Sequence, residues 1–481
     1  MARPHRKWLA VLMTLYGRNW ITLFGGAMAW ASAMLIVGLA ILVILDLASS
    51  PYIGILAFLV FPGVFVGGLL LIPLGALWEH FRKRKKVAAL ELGPFPVVNL
   101  NDGHTRHVAI AVVVLTGFNL LILATVSYQG VVFMDSPTFC GKVCHTVMKP
   151  EFTSYSDSPH SRVACVDCHI GPRAPWSVRS KLSGLGQVIA VCLDNYERPI
   201  PTPVTNLRPS RDTCEQCHWP ERFTGDRIKV LTKYGDDEAN TPSKTVLLMH
   251  IGGGHGAGKG IHSWHINPEK RTIYTPVDNQ RKEIARVRVQ NAKGETLEEF
   301  NAPDGKYDAA KLAQSKERVM DCMDCHSRPT HIFRTPARAL DEALAAGRLD
   351  ATLPFIKKVG LEALTDAKGA EGDEERIAVH VREFYEKEKP DVLGQHKDQV
   401  DSAVKGLQAI YRRNIFADMK VTWGTYTSNL GHEDSPGCFR CHNDDMTSKD
   451  KKAIGQDCTI CHNVLAWDEA SPKILTELEV Q

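Results

Sequence analysis

Thirteen cysteines stand in a chain of 481 residues, and twelve of them fall into six pairs, each followed directly by histidine. The pairs are Cys140 and Cys144 with His145, Cys165 and Cys168 with His169, and Cys214 and Cys217 with His218. Further on come Cys322 and Cys325 with His326, Cys438 and Cys441 with His442, and Cys458 and Cys461 with His462. Five pairs enclose two residues; the first, CGKVCH, encloses three. C-x-x-C-H is the attachment signature of c-type haem: two thiols form thioethers and the adjacent imidazole reaches the iron from one face. Zinc is the rival use of paired cysteines, but it needs a second ligand pair nearby and no His directly after the second Cys. Six repeats of Cys-Cys-His therefore read as six covalent haems. Cys192 stands alone and is expected to be buried and unreactive.

Six irons need six ligands on the opposite face. Nine further histidines follow the first motif: His160, His250, His255, His262, His265, His331, His380, His396 and His432. Five are favoured by their place beside the motifs. His160 precedes one in SPHSRVAC, His432 precedes another in GHEDSPGC, His331 follows one in HSRPTH, and His262 and His265 share GIHSWH. His380 and His396 lie in a charged helical stretch and read as surface residues, while His250 and His255 stay undecided. Met148, in CHTVMKPE, is either an axial ligand, which raises haem potential relative to bis-His, or a packing residue. Bis-His iron is coordinatively closed, so it transfers electrons rather than binding substrate.

Such a site must be attached outside the cytoplasm, and the chain provides the means. Trp20 to Leu45, Tyr52 to Trp78 and Val108 to Met134 carry no charged residue, and each exceeds the roughly 20 apolar residues that cross a bilayer. The basic start is followed by a weak apolar stretch and then Arg18, so the first run reads as a retained anchor rather than a cleaved signal. Arg3, Arg6, Lys7 and Arg18 precede the first span, Arg82 to Lys86 follow the second, and the loop Asp46 to Pro51 has no basic residue. The positive-inside rule then puts the N-terminus in the cytoplasm and everything after Met134 outside. Net charge is +3, and no basic stripe with interleaved aromatics argues for nucleic acid.

The remaining elements frame the motifs. TIYTPV, then IARVRV and TLEEF across NAKG, read as short strands with a hairpin turn. Gly252 to Gly260 form a glycine-rich stretch with no Gly-Lys-Ser/Thr after it, read as a loop packed against haem. Ala337 to Met419 is helical by period: Leu340 and Leu344; Ile377, Val381, Phe384 and Tyr385; Val400, Val404, Leu407 and Tyr411. The expected fold is a membrane anchor of three transmembrane helices plus a mainly α, loop-rich multihaem cytochrome c domain with a small β-hairpin region. The expected division is 1–134 for the anchor, 135–223 with three haems, 224–336 mixed with the fourth, and 337–481 helical with the last two, whose close spacing predicts adjoining haems.

From Phe139 to about Phe223 the sequence resembles the NapC/NirT family of membrane-anchored quinol dehydrogenases, nearest the NrfH-type small subunit. The residues that carry the likeness are FCGKVCHTVMKPE after a membrane helix, SPHSRVACVDCH, KLSGLGQVIA and DTCEQCHWPERF. The resemblance implies a first haem at the outer membrane surface beside a menaquinol site, with Lys181 lining the quinol pocket. It also makes His160 a distal ligand and Met148 the Met ligand of the first haem. In the family one residue separates CH from that Met, whereas two do here, and Gln187 stands near where NrfH-type proteins have Asp. Three helices and six motifs, with GIHSWHI, CMDCHSRPTH and GHEDSPGCFRCH further on, are similar to the larger ImcH-type inner-membrane cytochromes of metal-reducing bacteria.

The expected function is menaquinol oxidation by a hexahaem cytochrome c of the bacterial inner membrane, multi-pass with its haem domain in the periplasm. Electrons would leave along the haem chain to periplasmic acceptors in anaerobic or extracellular respiration. Alternatives are a passive electron-transfer subunit of a larger membrane complex and a multihaem terminal reductase. The expected partners are the lipid bilayer, menaquinol, and periplasmic cytochromes or a reductase complex; no nucleic acid is expected, and self-association is left open.

Overall fold

The computed structural model describes residues 20–44, 56, 60–84, 100–143, 145–171, 183–184, 186–204, 207–219, 222–223, 225–252, 260–267 and 269–478. The chain divides into two compact units, Met1–Val143 and Cys144–Gln481.

The first unit holds helices α1 (Trp20–Ile44), α2 (Phe61–Arg84) and α3 (Gly103–Met134). Asp102 caps α3, accepting from the Thr105 amide at 2.9 Å. Large apolar side chains point away from the unit on all three helices, among them Leu23, Trp30, Leu70, Val113 and Leu121. In water that exposure would be costly; against lipid tails it is not. What joins α1 to α2 is small residues. A Cβ on Gly25 would lie 2.7 Å from Leu71 Cβ and 2.8 Å from Gly68 O, and one on Gly68 would lie 2.7 Å from Ala29 N. Close backbone approach over small residues is the packing that membrane helices use in place of a hydrophobic driving force. Among the described residues, Trp20–Leu39 and Thr116–Met134 are long and apolar enough to cross a bilayer, while the apolar part of α2, Phe61–Gly75, is shorter. The expected second span begins at Tyr52, and residues 52–55 and 57–59 lie outside the described residues. So do Arg3, Arg6, Lys7, Arg18, Lys85 and Lys86, on which the orientation rests.

The second unit is mostly helical with more sheet than the single hairpin expected. Strands β1 (Arg227–Tyr234) and β2 (Pro242–Met249) are extended by β7 (His462–Glu469) into an antiparallel sheet of order β1-β2-β7. The other sheet, β5-β4-β3-β6, is built from Lys270–Pro276 (β3), Ile284–Asn291 (β4), Thr296–Asn301 (β5) and Arg318–Val319 (β6). The β4–β5 turn is the one NAKG predicts. Asn291 Oδ1 accepts from the amides of Lys293 and Glu295 at 3.0 Å, and Gly294 takes φ 83°.

Helix α4 (His145–Ser156) follows the first motif, and α5 (Pro336–Ala345), α6 (Ile356–Asp366), α7 (Asp373–Glu388), α8 (Pro390–Gln395) and α9 (Lys397–Asn414) form a bundle. The three predicted stripes make its core: Leu340, Ile377, Val381, Tyr385, Val400 and Leu407 are fully buried. The bundle braces the rest of the unit through polar groups. Asp341 Oδ1 accepts from the Tyr234 amide at 3.1 Å and pairs with the buried Lys357. Asn240 Nδ2 donates to Ala351 O and Leu353 O at 2.9 Å. Arg413 Nε reaches Asp157 Oδ2 at 2.8 Å, tying α9 to the end of α4.

Candidate haem centres

Each described motif sits on a single tight turn: Cys165–His169, the end of Ser210–Cys214, Cys322–Cys325, Gly437–Arg440 and Cys458–Ile460 are all short helical pieces. A turn of that kind puts both sulfurs and the following imidazole on one side of the backbone, as attachment to one flat ring requires. In the fourth motif the turn is fixed by a capping box, in which Asp321 Oδ1 accepts from the Met323 amide at 2.9 Å and Asp324 Oδ2 from the Asp321 amide at 2.8 Å. Asp324 is buried and is also held by Tyr274 Oη at 2.7 Å, Arg318 Nε at 2.9 Å and Arg281 Nη1 at 3.0 Å.

The favoured distal histidines lie opposite motif histidines. His160 and His218 have ring centroids 6.0 Å apart, His169 and His331 6.3 Å, His265 and His442 6.0 Å, and His432 and His462 6.2 Å. His262 lies in the electrostatic field of His326. Metal–imidazole bonds are about 2.0 Å long, so two rings on opposite faces of one iron have centroids roughly 6 Å apart. The spacing suits an iron between the rings.

Protonation agrees. Burial holds His169, His262, His265, His326, His331 and His462 below the ordinary imidazole value, in the neutral form a metal needs. Neighbouring imidazoles add to this for His169, His326 and His462. Carbonyl oxygens fix the tautomer: His265 Nδ1 donates to Ile261 O at 2.6 Å, His331 Nδ1 to Glu151 O at 2.9 Å and His442 Nδ1 to Gly455 O at 3.0 Å. A carbonyl can only accept, so the proton is on Nδ1 and the Nε2 lone pair is free for a metal. Buried Nδ1 atoms of His160, His262 and His462 and hydroxyls of Ser210 and Ser263 have no hydrogen-bond partner among the described residues, which fits pockets completed by a prosthetic group. Among the described residues no three His, Cys, Asp or Glu side chains are grouped to hold a bare metal ion.

From the second to the sixth, the motifs also adjoin one another in chain order. Cys168 lies in the field of Cys217, and the Cys214 and Cys322 thiols share a hydrogen bond. Burial pushes the Cys325 thiol up to about 12, with Cys438 first among the neighbouring charges, and Cys438 also acts on Cys461. Arg440 of the fifth motif donates to Asp324 O of the fourth at 2.7 Å.

Other expected residues stand apart. Cys144 lies outside the described residues, as do the His145 side chain, Lys181 and His255. Cys140 sits in the turn Phe139–Val143, and Met148 is half-buried on α4. Cys192 is exposed, not buried as expected; the short helix that bears it also leaves Val188 and Ile189 uncovered. His380 Nε2 faces Glu362 at 3.5 Å on the bundle, and His250 Nδ1 meets Asp226 Oδ1 at 3.0 Å. Reading the sequence alone misses Glu151 and Arg328, whose side chains meet at 2.8 Å beside His331. The only signal for them is their place, in MKPE after one motif and CHSRPTH within another.

Residues 104–199 match the family described as the NapC/NirT cytochrome c family, N-terminal region. Over 450 residues the chain is 41% identical to the cytochrome c-type protein ImcH of Geobacter sulfurreducens, spanning 93% of this chain and 88% of that protein. No solved structure matches it.

Proposed function

We propose, from the premise that this chain belongs to the family of the ImcH cytochrome and carries its NapC/NirT region, that this membrane-anchored multihaem cytochrome c is a menaquinol dehydrogenase. The observation that carries the reading is the set of opposed imidazoles, 6.0–6.3 Å apart, on the second to sixth motifs, which adjoin in chain order. Six covalent haems, when bound, supply one-electron chemistry at each iron. The twelve paired cysteines hold them. His145, His169, His218, His326, His442 and His462 are the attachment-side ligands, with His160, His262, His265, His331 and His432 opposite, and Met148 serving the first haem. Closed ligation by two imidazoles excludes small substrates, which favours conduction over a terminal reductase.

Three spans anchor the chain, with the N-terminus cytoplasmic and residues after Met134 periplasmic. Residues 135–223 carry the first three haems, 224–336 the fourth and 337–481 the last two. Menaquinol binds at the outer face near Cys140, His145 and Lys181. Oxidation releases two electrons, one at a time, and two protons, and a carboxylate or Lys181 accepts the protons and passes them to the periplasm. The electrons leave from the far end of the motif series to a periplasmic cytochrome or reductase complex.

Anaerobic mixing of the detergent-solubilised protein with a reduced menaquinone analogue tests this, with Lys181→Leu alongside. Fast partial reduction of the haem bands is expected, and its loss in the variant, with both proteins fully reduced by dithionite. Absence of quinol reduction in the native protein would sink the reading and leave a passive electron-transfer subunit.

A further inference from the structure

Two haem-bearing segments meet in one largely buried ion pair, beside an imidazole that faces a third. Glu151 comes from α4, after the first motif; Arg328 comes from the loop two residues past His326; His331 faces His169 of the second motif. Arg328 Nη2 lies 2.8 Å from both Glu151 carboxylate oxygens, and the two side chains are 9% and 13% exposed. Arg328 Nε donates to His331 O at 2.7 Å, and its guanidinium lies 4.0 Å over the Tyr426 ring. Tyr426 is itself pinned, its hydroxyl donating to Ile200 O at 3.0 Å. His331 Nδ1 sits 2.9 Å from Glu151 O and 3.2 Å from Glu151 Oε2, with Ser154 Oγ at 3.4 Å. Glu151 therefore touches the imidazole twice, once through its backbone and once through its charge.

We propose that Glu151 and Arg328 are positioning residues that set the reduction potential of the second haem through His331, as a balanced pair of opposite charges. The proposal rests on the reading that His169 and His331 face one iron. A carboxylate at Nδ1–H strengthens the imidazole as a donor and favours the oxidised metal. A guanidinium close by favours the reduced one. Both charges are screened less than surface charges would be, and the net effect on the ligand is their difference. The pair also joins the segments of the first and fourth motifs, so the site that sets this potential is held by the framework rather than by one loop.

The prediction is a pair of shifts with opposite sign. In a mediated spectroelectrochemical titration of the intact, detergent-solubilised protein, Glu151→Gln should move one haem transition to higher potential. Arg328→Gln should move the same transition lower, and the double variant should fall between them. Shifts of the same sign, or none while the low-spin spectrum is kept, would overturn the proposal and make the pair purely structural. If an unpaired charge keeps either single variant from accumulating, Glu151→Asp is read instead, since it keeps the charge but draws it back from His331. A rise in potential then supports the proposal and no change overturns it. His331→Ala separates the premise: a haem that stays six-coordinate and low-spin there removes both the ligation and the proposal. The titration uses mediators and dithionite, so it succeeds or fails independently of quinol oxidation.

Discussion

The bundle of α5 to α9 and the haem-bearing stretches around it are built on different terms. In the bundle the core is protein: Leu340, Ile356, Val359, Leu364, Ile377, Val381, Val400 and Leu407 are sealed together, and Trp423 Nε1 donates to Leu364 O and Ala367 O at 2.8 and 2.9 Å. In the haem-bearing stretches the buried apolar side chains among the described residues form two small clusters, one around Tyr274, Val287, Phe300 and Met446 and one around Phe416, Met419, Val421 and Tyr426. Among the described residues, most buried polar atoms without a hydrogen-bond partner also lie there, on His160, Arg208, Ser210, His262, Ser263 and His462. One region closes its own core; the other presents paired imidazoles and half-buried thiols to a group that must complete it. Hydrophobic burial drives folding in the first, and covalent attachment and ligation supply the missing burial in the second.

The largest break in that comparison comes from withholding haem. Protein made without haem attachment should keep slow amide exchange across 336–414 and lose it across 160–331 and 430–465. Hydrogen-exchange mass spectrometry on the full chain reads both regions at once. Retained protection around the motifs would mean that the protein alone closes those sites. A smaller effect sharpens the other side. Leu407 is fully buried against Gly360, where an added Cβ would lie 2.9 Å from its Cδ2. Leu407→Ala should cost the bundle about 2–5 kcal/mol while leaving the haem spectrum and potentials unchanged. Equal damage to the haem bands would show that the two regions are not separable.

The same contrast governs what could be read in advance. The bundle stripes were legible because a 3.6-residue period and local burial say the same thing, as at Ile377, Val381 and Tyr385. The β3, β4 and β5 strands were legible through alternation and the NAKG turn. The β1-β2-β7 sheet was not, because Met249 pairs with His462 across most of the second unit and no local pattern specifies that partner. The histidines expected to be distal ligands stand beside the motifs in sequence, but which motif histidine each one faces was not legible. His160 stands five residues before the second motif but faces His218 of the third, and His331 follows the fourth motif but faces His169 of the second. In each case the histidine faces a motif other than the one it lies beside, as His432, six residues before the fifth motif, faces His462 of the sixth. Charge pairs such as Glu151 with Arg328 carry no period at all and appear only in three dimensions.

The smallest expected effect lies at the start of α7 and isolates the bundle's electrostatics from those of the haems. Burial pushes the Asp373 carboxyl up, but hydrogen bonds from the Gly369 and Ala370 amides at 2.7 and 2.8 Å, from Arg376 and from Tyr411 outweigh it and hold the group below the usual carboxylate range. A carboxylate with a depressed folded-state value contributes stability above its unfolded value, near 3.9 (approximately, for aspartate), and loses it as pH falls through the folded value. The bundle should therefore weaken in acid below about pH 4, and Asp373→Asn should flatten that dependence. At neutral pH the variant should cost roughly 1 kcal/mol, because one amide partner of Oδ2 is left poorly satisfied inside a buried turn. Thermal unfolding of the bundle between acid and neutral pH, native against Asp373→Asn, measures both. A difference that grows as the pH falls, instead of shrinking, would place the acid sensitivity at another carboxylate and remove Asp373 from the account.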